Sequence, residues 1–408
     1  MSLLIAILGL GFLILIHEAG HFFVSLAVGM RPRSFNIGLG PPLFKLRRRG
    51  IDYAVRAIPL GGYVKIPGMH RPAAKDVDLV FGRALHAAPE LVGPAERLKR
   101  ALAREDFEGA AVPLQEFRQR AEEAGAPGFE KGVQDIEDSL APQAYWRAPT
   151  WKRVAAIVAG PATNLVFAVV LFAIVFAVAA GKATTTVDRV VATENGKTAP
   201  AQLTGLRAGD QIAAIGVGNR WRTVNSPSDI TDTISHSGGK PVTLLVSRNG
   251  RALVLRPQSA KKTEGVYRLG FQLKAVPLGT GPALWEAVKT TGFVAKDTVG
   301  SLGRIFQKQN RQQVSGPIGI TRGLKDAVNY GWGQYLLLLG FISLSLALLN
   351  LLPLLPLDGG HIAFSLLEGI RGRAIAREVY ERVSAVGIAI VLLLFIVGLS
   401  NDVGRLHS

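Results

Sequence analysis

The stretch LLIAILGLGFLILIHEAGHFFVSLAV, Leu3 to Val28, sets the fold class of this chain. A helix needs about 20 apolar residues to cross a hydrocarbon core of about 30 Å, and this run is long enough. Only His17, Glu18 and His21 interrupt it. One charged side chain at mid-bilayer costs about 2.5–3.5 kcal/mol even on lenient scales, so three ionisable groups in one turn demand a compensating partner. Residues i and i+4 share a helix face, so both imidazoles reach one metal ion with Glu18 beside it. No Lys or Arg precedes the apolar run, which argues for a retained helix rather than a cleaved secretion signal.

Three more stretches have the same character: Val154 to Gly181, Ala327 to Leu357 and Val383 to Asn401. They explain why apolar residues reach 48 % and charged residues only 19 % of 408, with a mean hydropathy of +0.26. A soluble enzyme is thereby excluded. The absence of Cys excludes disulfides, Cys-bound zinc, iron–sulfur clusters and a thiol nucleophile. A net charge of +17 comes without a nucleic-acid motif, so it points to cytosolic loops and anionic lipid.

Basic residues at the helix ends orient the chain. Arg31, Arg33, Lys45 and Arg47 to Arg49 follow the first helix, Arg147, Lys152 and Arg153 precede the second, and Arg371, Arg373, Arg377 and Arg382 lie between the third and fourth. The opposite side carries fewer: Lys182, Arg189, Lys197, Arg322, Lys325 and Arg405. The excess places 31–150 and 371–382 in the cytosol and both termini outside. Within the first loop, SFNIGLG and IDYAVRAIPLGGYVKI alternate apolar and polar residues around Gly and Pro, predicting strands in hairpins over 31–70. Residues 71–145 carry mixed charge in runs such as PAERLKRALARE, predicting short surface helices with no catalytic constellation. Residues 183–262 predict strands with turns at Asn195-Gly196, Gly238-Gly239 and Asn249-Gly250, and 280–330 predict an amphipathic helix.

Catalytic zinc takes three protein ligands and leaves one position for water. Without Cys, the third ligand must be His, Asp or Glu. Asp358 is the candidate, in NLLPLLPLDGG from Asn350, with His361 the alternative. His17 lies 14 residues past Leu3, about 21 Å deep at 1.5 Å per residue, in the inner part of the membrane. The third helix runs the same way, and Asp358 comes late in it. Pro353 and Pro356 break that helix, and unwound backbone survives at membrane depth only inside protein or beside a wet cavity.

HEAGH in the first helix, GPATN (Gly160 to Asn164) in the second, the phrase LTGLRAGDQIAAIG (Leu203 to Gly216), SGPIGI (Ser315 to Ile320) and NLLPLLPLDGGH together resemble the site-2 protease family. The similarity is to its bacterial branch with a PDZ domain and covers nearly the whole chain except about 70–140. The resemblance implies a polytopic α-helical membrane protein with four transmembrane helices. It adds a membrane-associated β-hairpin region at 31–70 and an extracytoplasmic PDZ domain at 183–262. Helices 1–30, 150–181, 333–370 and 383–401 would span the bacterial inner membrane, with 71–145 a cytosolic insertion.

It also implies an intramembrane zinc metalloprotease. His17, His21 and Asp358 would hold Zn2+, with Glu18 the general base. Asn350 and Pro353 would bind an opened substrate helix. Gly38 and Gly40 would belong to a loop beside the substrate-pairing hairpin, and Gly160, Pro161 and Asn164 to helix packing near the site. The implied partners are membrane lipid and a transmembrane substrate trimmed by a first protease, such as an anti-sigma factor or a remnant signal peptide; no nucleic acid is implied. A metal transporter or sensor would not need Glu18 beside two ligands, an inactive scaffold would have lost the zinc set, and a tethered soluble zincin would carry HExxH outside the apolar run.

Overall fold

A computed structural model describes all residues except 192, 195, 196, 264, 265, 303–315, 376 and 408. The predicted Asn195-Gly196 turn and Ser315 of SGPIGI lie outside the described residues. The chain divides into two compact units, Met1–Ala168 with Thr291–Ser408, and Val169–Thr290.

In the first unit, α1 (Ser2–Ala27) carries HEAGH. Two strands follow, β1 (Ser34–Arg48) and β2 (Ile51–Lys65). Ser34–Ile37 is flanked on one side by Gly62–Lys65 and on the other by Asp52–Val55, while Phe44–Arg48 pairs back onto Ile51–Val55. Such doubling back requires tight bends, and Gly38 supplies one. Its φ is +89°, and a Cβ there would lie 2.7 Å from the Ile58 carbonyl oxygen.

Residues 71–145 are more than the surface helices the sequence predicts. Helices α2 (Ala74–Ala87), α3 (Val92–Ala103), α4 (Ala111–Glu123) and α5 (Phe129–Leu140) bury a core of their own. Val77, Phe81, Leu91, Leu98, Phe117 and Val133 are fully buried in it, and Phe81 stacks on Phe117 at 4.1 Å. Helical periodicity sets these apolar positions on one face of each helix, although the charge between them dominates the composition.

Among the described residues four helices are long and apolar enough to cross a membrane: α1, a span Thr150–Ala179, Trp332–Asn350 and Glu378–Gly404. The second contains α6 (Thr150–Val175). On α1 and α6, side chains such as Leu8, Phe12 and Val166 remain exposed, as expected for faces that meet lipid.

The second unit holds a small β domain. Strands β3 (Lys182–Val190), β4 (Gln211–Val217), β5 (Arg220–Thr223), β6 (Pro241–Arg248), β7 (Arg251–Val254), β8 (Gln258–Ser259) and β9 (Phe271–Val276) form an antiparallel sheet, and α7 (Pro227–Ser235) packs nearby. The sheet runs β8-β6-β4-β3-β9, with β5 on β4 and β7 on β6, leaving β9 at an edge. Ile212, Ile215, Ile230, Leu244 and Val246 are buried at its centre.

Helix α8 (Thr280–Leu302) follows, and then α9 (Pro317–Tyr330) and α10 (Trp332–Asn350). The expected amphipathic region 280–330 is therefore two helices, with 303–315 outside the described residues. The expected membrane helix 333–370 is also two. α10 stops at Asn350, residues 351–357 form turns, and α11 (Asp358–Arg371) begins at the aspartate. Proline lacks the N–H and clashes with the preceding turn, which accounts for the break. The last helix, α12 (Arg377–His407), exceeds the apolar run 383–401 at both ends.

Phrase 203–216 owes its conformation to Gly209-Asp210. Gly209 turns at φ +89°, and its N–H donates to Val187 at 2.8 Å. The Asp210 carboxylate accepts from Arg248 Nε at 2.6 Å, from Arg248 Nη2 at 2.7 Å and from the Arg207 N–H at 2.9 Å. Burial alone would raise this carboxyl, but the guanidinium and the N–H outweigh it and hold it below the usual range. Arg248 is partly exposed, so the loss is that of charge-assisted hydrogen bonds, about 1.5–3 kcal/mol. Asp210→Ala is therefore expected to lower protection of the 183–260 amides in hydrogen exchange by about that much at neutral pH. Because the folded carboxyl titrates below its unfolded value, its contribution is complete above that value and fades as pH falls through the depressed one. The mutant and the parent should accordingly converge in acid.

Candidate metal centre

Each arm of the site is fixed before the ligands meet. Gly20 lets α1 cross α6 closely, since a Cβ there would overlap the Ala159 carbonyl and the Thr163 hydroxyl. α10 is tied to α6 by Ser343 Oγ, which donates to the Asn164 carbonyl at 2.8 Å. α11 is tied to the same helix by Arg153 and Glu368 at 2.5 Å. Gly359 and Gly360 then press against the 351–355 backbone so closely that neither accepts a Cβ. The Asp358 carboxylate is thereby held at the first turn of α11, where a helix dipole favours negative charge.

The arrangement brings His17, His21 and Asp358 together. His17 Nε2 is 3.2 Å and His21 Nε2 is 3.4 Å from Asp358 Oδ2, and the two nitrogens are 3.3 Å apart. A tetrahedral ion with bonds of about 2.0–2.1 Å sets its ligands about 3.3–3.4 Å from one another. The triangle has that size. Tautomers agree with it. His21 Nδ1 donates to the Ala156 carbonyl at 2.9 Å, which leaves the Nε2 lone pair free for a metal. His17 Nδ1 lies 3.4 Å from Asn164 Nδ2, and Asn164 Oδ1 is buried without a partner. Turning that amide by 180° gives its oxygen the Nδ1–H and frees Nε2 in the same way. Asp358 Oδ2 also has no hydrogen-bond donor. Three polar atoms converge in a geometry that a cation would satisfy.

Glu18 is 9 % exposed and lines the same cavity, of about 680 Å³. The Val64 backbone hydrogen-bonds its carboxylate, and Gly62 leaves room for its Cγ. Asn350 lines this cavity and Pro353 does not; Pro356, three residues on, takes the wall position. Gly38 and Gly40 lie in β1 away from the lining, where Gly62 to Lys65 of β2 stand instead. His361 is on the wall but is not a member of the ligand triangle. Asp76, Val80, Asp135, Ile136 and Ser139 of the helical insertion also face the cavity, and no spacing rule in 71–145 singles them out. In the second unit a groove of about 550 Å³ runs between α7 and 266–273, lined by Ile230, Ile234, Leu269, Phe271 and Leu273. Its turn at Gly270, φ +89°, is the one sequence signal that marks it.

The sequence matches the model of peptidase family M50 over residues 5–394. The chain belongs to peptidase family M50. Relatives of full length agree. It is 27 % identical to the regulator of sigma-W protease RasP of Bacillus subtilis, covering 97 % of this chain and 96 % of that one. It is 29 % identical to the zinc metalloprotease RasP of Shouchella clausii, covering 97 % of both. It is 26 % identical to a putative zinc metalloprotease of Lactococcus lactis, covering 99 % and 98 %. This M50 chain is a zinc metalloendopeptidase of the site-2 type and an integral membrane protein, and its cofactor is Zn2+.

Gly160 of the M50 chain faces the His21 ring, and a Cβ there would overlap Nε2. Helix backbone leaves no slack at that contact. Gly160→Ala is expected to displace the imidazole and cut zinc affinity by 10–100-fold, the usual effect of disturbing a ligand's support. Zinc titration of the purified protein measures it; unchanged affinity would assign Gly160 to packing alone.

Proposed function

We propose that this chain cleaves transmembrane segments of single-pass proteins inside the membrane, with His17, His21 and Asp358 holding zinc and Glu18 acting as general base. The observation that carries the proposal is the 3.2–3.4 Å ligand triangle beside a buried Glu18 in an apolar helix. When bound, zinc would supply an acidified water at neutral pH and a Lewis acid for the scissile carbonyl. Glu18 takes the proton of the attacking water and returns it to the leaving amine. Its carboxylate is aimed by the Val64 backbone.

A substrate helix must open first, because its carbonyls already accept hydrogen bonds. Gly62–Lys65 pairs with Ser34–Ile37 on one side, and among the described residues no strand covers the other. That edge, running past Glu18, suits an unwound substrate strand in a place where freed backbone groups need partners. Asn350 at the end of α10 is placed to bond such a strand; Pro353 acts by ending the helix. Gly38 and Gly40 serve the bend of the hairpin.

The positive flanks favour the cytosol for 31–150 and 371–382 and the outside for both termini and the β domain. The β domain is read as a PDZ module on its Gly209-Asp210 turn, its edge strand β9 and the apolar groove beside α7. Strand addition there, or steric exclusion of an intact ectodomain, would favour substrates trimmed by a first protease, anti-sigma factors and remnant signal peptides among them.

Two results test the assignment. Glu18→Gln should retain about one zinc per chain while cleavage of a model transmembrane substrate falls by at least 10²-fold, the usual scale of general-base loss. Cleavage at the parental rate would remove Glu18 from the chemistry. Asp358→Ala should lose most of its zinc and His361→Ala should keep it, as metal analysis would record. The reverse pattern would transfer the third ligand to His361.

A further inference from the structure

The helical insertion leaves the chain and returns to it at one point. Tyr145 N–H donates to the Pro67 carbonyl and Trp146 N–H to the Gly68 carbonyl, both at 3.0 Å. Gly68, at φ +66°, faces Ala144 so closely that a Cβ would come within 2.6 Å of it. A segment with its own core and adjoining ends is one the remaining fold does not need to complete its path. Yet it does not stand apart. α2 and α5 present Asp76, Asp135, Ile136 and Ser139 to the cavity that holds Glu18 and the ligand triangle.

Ion pairs fasten the insertion in that place. The buried Asp138 pairs with Arg33, just before β1. Asp135 pairs with Lys65 at 2.7 Å, the last residue of the strand whose edge lines the cavity. Lys75 of α2 pairs with Glu378 of α12. The insertion is thus clamped to the hairpin and to the last helix. Most of its cavity-facing positions are polar, Asp76, Asp135, Asp138 and Ser139 against Val80 and Ile136, as suits a wall beside water rather than a packed prop. Its Asp76 carboxylate caps α2 by accepting from the Ala73 N–H at 2.8 Å, and none of its side chains joins the metal cluster. It bounds the site without taking part in the chemistry.

We propose that the inserted helical module is a selectivity wall of the catalytic cavity. It leaves a passage for extended polypeptide flanking the scissile segment and excludes a folded domain that begins close to that segment on the same side. The substrate class follows: membrane segments whose flank on the module's side is short or extended. This rests on the protease reading for the word scissile, but the wall itself has a separate readout.

The chain contains no Cys, so a single Val64→Cys on the cavity wall reports access by a membrane-impermeant maleimide. Full-length protein in inverted membrane vesicles would be compared with two variants in that background: one with 70–143 replaced by a short Gly/Ser bridge, and Asp135→Asn with Glu378→Gln, which opens two clamps. Labelling is expected to rise at least tenfold without the module and several-fold with the clamps opened, at unchanged zinc content. In the Cys-free background, removing the module should raise cleavage of a substrate with a folded domain fused next to its membrane segment. Cleavage of the same segment with a short tail should stay as it was. Unchanged labelling in the bridged variant overturns the proposal, and if that variant loses zinc, unchanged labelling in the clamp variant does so. Failure of the protease reading would look different: neither substrate would be cut, while the labelling comparison would still decide the wall.

Discussion

Two imidazole nitrogens and one carboxylate oxygen stand 3.2–3.4 Å from one another between helices whose outer faces are apolar. Without a cation, such a triangle gathers lone pairs in a place where desolvated polar groups are costly. A divalent ion between them would satisfy all three lone pairs. Much of the surrounding architecture can be understood as holding that triangle closed. α1 brings His17 and His21 on adjacent turns, α6 meets them through Ala156 and Asn164, and α11 brings Asp358 from elsewhere in the chain.

Delivering an aspartate to that point requires a helix to end inside the protein. α10 stops at Asn350, and the turns of 351–357 reset the direction before α11 begins at Asp358. Turns carry unpaired backbone groups, and these need partners at membrane depth. Part of the need is met locally, by Leu354 N–H to Leu352, Leu357 N–H to Leu354 and Gly360 N–H to Leu357. Close packing shields the turn: Gly387 of α12 approaches the Leu355 carbonyl so nearly that no side chain fits there. Gly359, Gly360 and Gly387 let backbone approach backbone, whereas Gly62 and Gly160 make room for the Glu18 and His21 side chains.

A hydrolase within a membrane must also hold water. The cavity beside Glu18 has polar lining from three sources, namely the ligand helices, the edge of β2 and the helical insertion. They differ in kind. HEAGH and the Asp358 turn reach the site through the packing of α1, α6 and α11, whereas the insertion reaches it through ion pairs at Asp138, Asp135 and Lys75. The exposed pairs of Asp135 and Lys75 are worth only about 0–1 kcal/mol each, and the buried Asp138 is the firmer anchor.

Four apolar runs, the i, i+4 spacing of His17 and His21, and the prolines ahead of Asp358 were all legible in the sequence, because each is a local property of a few neighbouring residues. Helical period, bilayer length and the geometry of proline act over a turn or two, and they determined the membrane class and the ligand types. The sequence also placed Asn350 near the site, as the last residue before the break. It did not reveal that Pro353 is off the cavity while Pro356 is on it, because turn geometry depends on what packs against the turn. Nor did it show that 71–145 has a core. The burial of Phe81 against Phe117, 36 positions apart in sequence, arises only when four amphipathic faces meet. Above all, only the tertiary structure decided that Asp135 of the insertion, Val64 of β2 and Glu18 of α1 share one cavity. Contacts between elements far apart in sequence are set by complementary surfaces and charge pairing, and no local pattern encodes them.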